Sequence, residues 1–370
     1  MRPGRVNVLV TGGASYIGSH TCKSLEAAGY SPVVLDDLST GHRWAVQWGP
    51  LVVGDIASRK LVAKTVERFD IRAAVHFAAH AYVNESMELP RKYFDNNVSK
   101  TLALLDALLD AGVATIVFSS SCATYGVPRN LPIAEDHPQS PINPYGASKL
   151  FAENVLHWYE QAYSLRYMNL RYFNAAGADP DGEIGEDHTP ETHLIPRVIA
   201  AAQGTNPVVE IFGTDYDTPD GTAVRDYVHV CDLADAHVKA LDRLLAGGTS
   251  ASINLGTGRG HSIREIISAV EAISGRSVPA IAGPRRAGDP PALVADPRLG
   301  QRLLGWKPMI SDLPDIVRTA WEWHEHRHTR RCVRAEPPWA LHPSWAKILN
   351  LQIWLWRRGV APFFESDFFL

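Results

Sequence analysis

Seven consecutive residues, Asn143-Pro144-Tyr145-Gly146-Ala147-Ser148-Lys149, hold the pair of side chains best suited to moving a proton. Four-residue spacing sets Tyr145 and Lys149 on one face of a helix. Asn143 as N-cap and Pro144 as first helical residue mark where that helix starts. An ammonium beside a phenol favours the phenolate. Free tyrosine has a pKa of about 10, so a base working near neutrality needs about three units of depression, roughly 4 kcal/mol. A phenolate so tuned takes a proton from an alcohol as the carbon bearing it gives up hydride. The same two residues also fit a packed tyrosine with a solvated lysine one turn on, and only the surrounding elements separate the two readings.

Those elements read as alternating strands and helices. Val6 to Val10 is a short branched run of the buried parallel type, closed by Thr11-Gly12-Gly13. A helix follows from Tyr16 to a stop at Gly29, then a strand, Val33-Val34-Leu35, ending in Asp36-Asp37. Strand, glycine turn, helix, strand and acid stand in the order of a dinucleotide site. Glycines admit the pyrophosphate to the backbone, the helix N-terminus faces its charge, and Asp36 accepts from ribose hydroxyls. A tight turn in another α/β protein has the same outline. Ser15 interrupts the spacing of Gly12 and Gly18; a positive φ there would strain serine, and its Cβ would crowd the phosphates. Ser15→Gly is therefore expected to tighten dinucleotide binding.

The pattern continues. Val52 to Ile56 leaves Asp55 at a strand end suited to an adenine edge, and Ala73 to Ala79 runs out into small residues around Phe77 and Ala78. Asp95-Asn96-Asn97 is expected to start a long helix that stops at Gly112, and Thr115 to Phe118 ends in Ser119-Ser120-Ser121. The face Phe151, Val155, Trp158 and Tyr159 is expected to bury the Tyr145 helix, and the strand from Tyr167 to Tyr172 ends in Phe173-Asn174. Polar residues recur at strand carboxyl ends, where open α/β sheets bind ligands. Residues 178–193, rich in Asp, Gly, Glu, Pro and His, read as a loop over the sheet. Helices over 194–203, 230–245, 263–273 and 313–323 and strands over 208–212 and 253–256 follow. Arg225, Arg286 and Asp289 come from separate loops; arginines suit a diphosphate and an aspartate suits ribose hydroxyls. Each arginine alone fits a surface salt bridge equally well. The expected fold is α/β: a Rossmann-type doubly wound parallel sheet over 1–177, with return segments near 225–258, and a smaller C-terminal α/β domain over 178–328. Residues 329–370 form a basic and aromatic extension.

A chain of 370 residues with net charge −4 has room for two domains and no basic excess to neutralise phosphates, so no nucleic acid is expected as partner. Cys22, Cys122, Cys231 and Cys332 are too scattered for a disulfide framework, and no charged-then-apolar leader precedes the first strand; a cytoplasmic protein is expected. His324, His326 and His328 alternate without a cysteine or carboxylate set beside them, so no metal is expected. The apolar run Ile348 to Trp356 is too short to span a bilayer. Packing on the body or on a partner chain, interfacial binding and a disordered tail all stay open for that segment.

From Val6 to Trp323 the chain resembles the extended short-chain dehydrogenase/reductase family, and within it the UDP-hexose 4-epimerases. The resemblance rests on Thr11-Gly12-Gly13 with Tyr16-Ile17-Gly18, on Ser119-Ser120-Ser121-Cys122-Ala123-Thr124-Tyr125-Gly126, and on the Tyr145 heptad. Leu170-Arg171-Tyr172-Phe173-Asn174, Gly213-Thr214-Asp215-Tyr216, Val224-Arg225-Asp226-Tyr227-Val228-His229-Val230 and Arg285-Arg286-Ala287-Gly288-Asp289 complete it. The resemblance implies interconversion of UDP-glucose and UDP-galactose through a transient 4-keto sugar. Tyr145 would be base and acid, Lys149 its electrostatic partner, and Ser121 the hydroxyl on the reacting oxygen. It implies NAD against Gly12, Tyr16, Ile17, Gly18, Asp36, Asp55, Ile56, Phe77, Ala78, Asn97, Tyr145, Lys149 and Tyr172. It implies the UDP-sugar against Asn174, Leu194, Phe212, Arg225, Tyr227, Arg286 and Asp289, with Leu293 where bulk decides whether an N-acetylated sugar fits. A homodimer through helices near 95–110 and 146–163 is also implied. Ser15 and His193 depart from the family pattern. A nucleotide-sugar dehydratase would need an extra acid and base after Ser121, where Cys122-Ala123 stand. A UDP-xylose/UDP-arabinose 4-epimerase shares the motifs, and a non-catalytic NAD-binding regulator would not need Ser121, Tyr145 and Lys149 together.

Overall fold

The computed structural model describes residues 4–286 and 288–333, with side chains to residue 326. Its first half lays down strand β1 (Asn7–Thr11), helix α1 (Tyr16–Ala27), β2 (Ser31–Asp36), β3 (Leu51–Val53), helix α2 (Arg59–Phe69) and β4 (Ile71–His76). Helix α3 (Lys100–Asp110), β5 (Thr115–Ser121), helix α4 (Pro144–Tyr163) and β6 (Arg166–Tyr172) continue it. After helices α5 (Leu194–Ala202) and α6 (Val230–Leu245), β7 (Ala251–Leu255) returns to the same sheet. The sheet order is β7-β6-β5-β4-β1-β2-β3, every neighbouring pair parallel. Both faces are covered, which is why the strands read as unbroken apolar runs: Val8 and Val10 face one core with Leu25 and Val75, Leu9 the other with Val33 and Leu104. The order reverses between β1 and β4, and such a reversal opens a crevice at the carboxyl ends of the strands.

A second core gathers Ile195, Val198 and Ile199 of α5 with Val209, Ile266 and Val270, the last two from α7 (Ile263–Ser274), and with Ile316 and Trp321 of α8 (Leu313–Val333). Short strands edge it: Val209–Phe212 beside Ala280–Gly283, and Val224–Arg225 between His261–Ser262 and Ala292–Leu293. These elements, with α8 as far as His324, belong to one compact unit. The extension is expected from residue 329, but α8 runs on to Val333; the rest of it lies outside the described residues, and so does the side chain of His328.

Two local expectations are corrected. Asp95 does not start a helix: helix Pro90–Phe94 runs through a π turn, Asp95–Ser99, into α3. The widened turn carries Asn97 inward, where its amide bonds both backbone groups of His80 and the hydroxyl of Ser148. The face Phe151, Val155, Trp158 and Tyr159 buries α4 only in part: Val155 and Tyr159 pack against the core of Leu9 and Leu104, but Phe151 is 50% and Trp158 67% exposed. The buried face carries Tyr145, Ser148, Lys149, Ala152, Glu153 and Leu156. Polar groups take the inner face because each finds a partner there.

Candidate active site

Every part of the proton-moving pair is set by a local signal in its own segment. Asn143 caps α4, its side chain accepting from Gly146 N at 2.8 Å, and Pro144 occupies the first turn. One residue on, Tyr145 is thereby aimed at the end of β5, and Lys149 follows one turn later. Both side chains are buried. The Lys149 ammonium donates to the Ser119 carbonyl at 2.7 Å and lies 5.9 Å from the centre of the Tyr145 ring. Burial pushes the Tyr145 phenol up to about 12, against which a hydrogen bond with Ser121 works. Burial also lowers Lys149 to about 7, opposed by the Glu153 charge. The phenolate-favouring field expected from Lys149 is thus outweighed by desolvation of the phenol.

The turn after β1 is built for close approach. Gly12 has φ +71, and a Cβ there would sit 2.6 Å from Ala78 N; one on Gly18 would sit 2.2 Å from the Gly12 carbonyl. The backbone of Phe77 and Ala78 therefore runs directly against Gly12 at the crevice, while the Phe77 ring turns into the core against His237. Ser15 corrects an expectation: its φ is −82, so it carries no strain. Its hydroxyl donates to Gly12 O at 2.6 Å and caps α1 through Gly18 N at 3.4 Å. Asp36 accepts from Ala14 N at 3.0 Å and Leu38 N at 2.9 Å; burial pushes its carboxyl up and the two amides pull it back. Each oxygen keeps a lone pair for a hydroxyl. Asp55 caps Ala57 N and pairs with Lys100 at 2.7 Å. Tyr16 donates to Gly177 O at 2.5 Å, Tyr172 shares a hydrogen bond with Ser119, and Ile17 and Ile56 pack into the two cores. A glycine turn under a helix N-terminus without acidic residues, with an acid at the end of β2, fits a dinucleotide such as NAD.

On the other side, Arg225 is ion-paired with Asp289 and donates to Pro290 O at 2.8 Å. Tyr227, buried, feels both charges. Arg286 stacks 3.7 Å over the Phe212 ring and has no ion-pair partner among the described residues. Leu293 pairs with Arg225 in register and packs with Cys122 and Phe173. Cys122, directly after β5, packs with Leu293, which pairs with Arg225, so the arginine side adjoins the end of β5. Asn174 pairs with Tyr227, and Leu194 opens α5. His193, just before it, turns to Glu186 at 2.5 Å.

The profile of the NAD dependent epimerase/dehydratase family matches residues 8–256. The chain belongs to that family. A UDP-glucose 4-epimerase of Rhizobium meliloti is 52% identical over 322 residues, 87% of this chain and 98% of the relative. The crystal structure of UDP-glucose 4-epimerase from Brucella ovis in complex with NAD is 56% identical, with a TM-score of 0.84 over 86% of this chain and 98% of that one. The enzyme from Stenotrophomonas maltophila, solved with NAD and formylated UDP-arabinopyranose, is 42% identical, with a TM-score of 0.85 over 88% and 100%.

Sequence reasoning missed the groups that hold the Tyr145 helix in place. Glu153, one turn after Lys149, forms a buried ion pair with Arg171 of β6 at 2.6 Å and accepts from Ser120 at 2.5 Å. Arg171 also donates to Tyr125, whose hydroxyl reaches Asn254 of β7 at 2.7 Å. The signal was an acid on the Tyr145 face of α4, four residues from Lys149.

Proposed function

We propose that this chain is an NAD-dependent 4-epimerase that interconverts UDP-glucose and UDP-galactose. The observation that carries the reading is the buried meeting of Tyr145 with Ser121 and Lys149 at the end of β5, beside the crevice at Gly12. Tyr145, as phenolate, takes the proton from the sugar 4-hydroxyl, and Ser121 hydrogen-bonds the same oxygen. NAD, which Gly12, Asp36, Asn97 and Lys149 would hold, would supply the hydride acceptor and donor for C4. Lys149, held on the Ser119 carbonyl, steadies the phenolate. Arg225 and Arg286 hold the diphosphate, which keeps the 4-keto sugar tethered while it turns to present its other face. Tyr145 then returns the proton to the opposite configuration. Asp289, preset by Arg225, and Phe212, Leu194 and Asn174 position the nucleotide and sugar; Leu293 walls the sugar pocket.

Gly12, Asp36, Asp55, Asn97 and Tyr172 line the NAD side, within a first domain over 1–177 that β7 rejoins; 178–328 form the substrate domain. Apolar side chains left exposed on Val83–Glu88, Pro90–Phe94 and α4, namely Met87, Phe94, Phe151, Trp158 and Tyr163, support a homodimer formed through this side of the fold. Among the described residues no helix is long and apolar enough to cross a membrane, and the cytoplasm is the proposed compartment. A pentose substrate is the second reading, favoured by the UDP-arabinopyranose derivative in the Stenotrophomonas structure. A panel of UDP-galactose, its N-acetyl analogue and UDP-xylose, followed for C4 inversion with wild type and Tyr145→Phe, tests the proposal. Hexose inversion abolished by Tyr145→Phe, with UDP still bound, is expected. No inversion of any sugar, or substantial turnover by the variant, overturns it.

A further inference from the structure

The loop between Asn174–Ala176 and α5 carries a second chemical cluster that the epimerase reaction does not use. Glu186, His188, Glu191 and His193 each offer one ligand atom, all within 4.8 Å of one another. The spacing Glu-x-His-x-x-Glu-x-His explains the convergence: residues two apart in extended chain point the same way, and the turn at Thr189-Pro190 sets the two pairs opposite each other. Nδ1 of His193 is 2.5 Å from Glu186 Oε1 and 3.5 Å from Glu191 Oε1. Nδ1 of His188 is 3.2 Å from Glu186 Oε1 and 3.6 Å from Glu191 Oε2. A tetrahedral zinc ion with bonds of about 2.0–2.1 Å sets its ligand atoms about 3.3 Å apart. The separations of 3.2, 3.5 and 3.6 Å lie near that edge, and the 2.5 Å hydrogen bond between His193 and Glu186 opens for both to ligate one ion.

One further observation favours a cation at the centre. Nδ1 of His188 is closed off from solvent and makes no hydrogen bond, although it enters the cluster between two carboxylates. Glu186 is 4% exposed, and the two imidazoles that face the two acids can balance them either as imidazolium ions or as neutral ligands to a shared cation. A divalent ion with two neutral imidazoles brings the group to zero net charge. The frame is rigid without it: Trp323 donates to Glu186 O at 3.0 Å, His42 contacts Asp187 O at 2.7 Å, and the Tyr16 and Tyr82 rings stand edge-on to His188.

We propose that Glu186, His188, Glu191 and His193 bind one divalent transition-metal ion, zinc by ligand type and geometry. Four protein ligands leave no open position, so the ion is structural. It pins the loop to the start of α5, directly before Leu194, and packs under Tyr16. The absence of a metal expected from the histidines near residue 326 does not extend to this loop; the mixed acid and imidazole spacing was the overlooked signal.

The test uses the full chain with NAD. After chelation and dialysis, the protein is titrated with Co2+, and separately dialysed against Zn2+ and measured for bound zinc by atomic emission. The visible bands of four-coordinate cobalt and about one zinc per chain are expected. His188→Gln and Glu191→Gln should each weaken binding by at least about tenfold, with circular dichroism confirming that each variant is folded. Wild type that takes up less than about a tenth of an equivalent of zinc and gives no cobalt bands overturns the proposal, and the cluster is then two ion pairs. Folded variants that bind the metals as wild type does overturn it equally, by placing the ion elsewhere.

Discussion

Replacing Lys149 with methionine removes a buried cation and keeps a side chain of similar length. The ammonium stands 5.9 Å from the centre of the Tyr145 ring, and burial holds that phenol near about 12. Two unit charges about 6 Å apart interact by roughly 3 kcal/mol at an effective dielectric constant of about 20. That is about two pKa units, or about a 100-fold smaller phenolate fraction wherever Lys149 keeps its proton. Burial lowers Lys149 to about 7, so the wild-type advantage is full below that value and fades above it as the ammonium loses its proton. The narrowing within the assayed range therefore follows the Lys149 proton. Initial rates of UDP-galactose conversion, coupled to oxidation of the UDP-glucose formed, measure it from about pH 6 to about pH 10. The expected result is a kcat about 100-fold lower near neutrality, KM within a few-fold, and a narrowing gap in alkali, with partial rescue by Lys149→Arg. A loss under about threefold, or an equal loss at every pH, refutes the electrostatic role.

Glu153→Gln strips the charge facing Arg171 and leaves a buried guanidinium without its partner, which costs about 3–5 kcal/mol of stability in a urea unfolding series. A cost below about 1 kcal/mol would mean that the pair does not hold α4 to the sheet. Ser15→Ala, losing the cap on α1, lowers stability by about 1 kcal/mol, whereas Ser15→Gly loses less and binds NAD no more tightly than wild type. Tighter binding by the glycine variant in calorimetry would revive the strain that φ −82 argues against. Arg286→Ala weakens UDP by at least about tenfold while kcat changes little, because the guanidinium over Phe212 is committed to no other ion pair among the described residues. Unchanged UDP affinity would displace the diphosphate from this position.

The alternation of apolar runs with capped helices sufficed to read the seven-stranded sheet, since a strand buried on both faces has no other sequence than the one seen in Leu9, Val33 and Val75. The end of β5 and the cap at Asn143 were equally legible, because a cap and a four-residue spacing act within one helical turn. Local pattern failed where a partner distant in sequence chooses the outcome. A glycine-spacing rule made Ser15 look strained, yet its hydroxyl closes the turn on Gly12 O. Helical periodicity put Phe151 and Trp158 inside, yet Glu153 goes inside because Arg171 and Ser120 from neighbouring strands neutralise and bond it. Asn97 gained its place from His80 and Ser148, contacts that required a π turn no propensity signals. The sequence by itself determined which segments become strands and helices and which residue types stand at their ends. The tertiary structure alone decided which polar groups are desolvated, and with them the protonation of Tyr145 and Lys149, because desolvation depends on everything packed around a group.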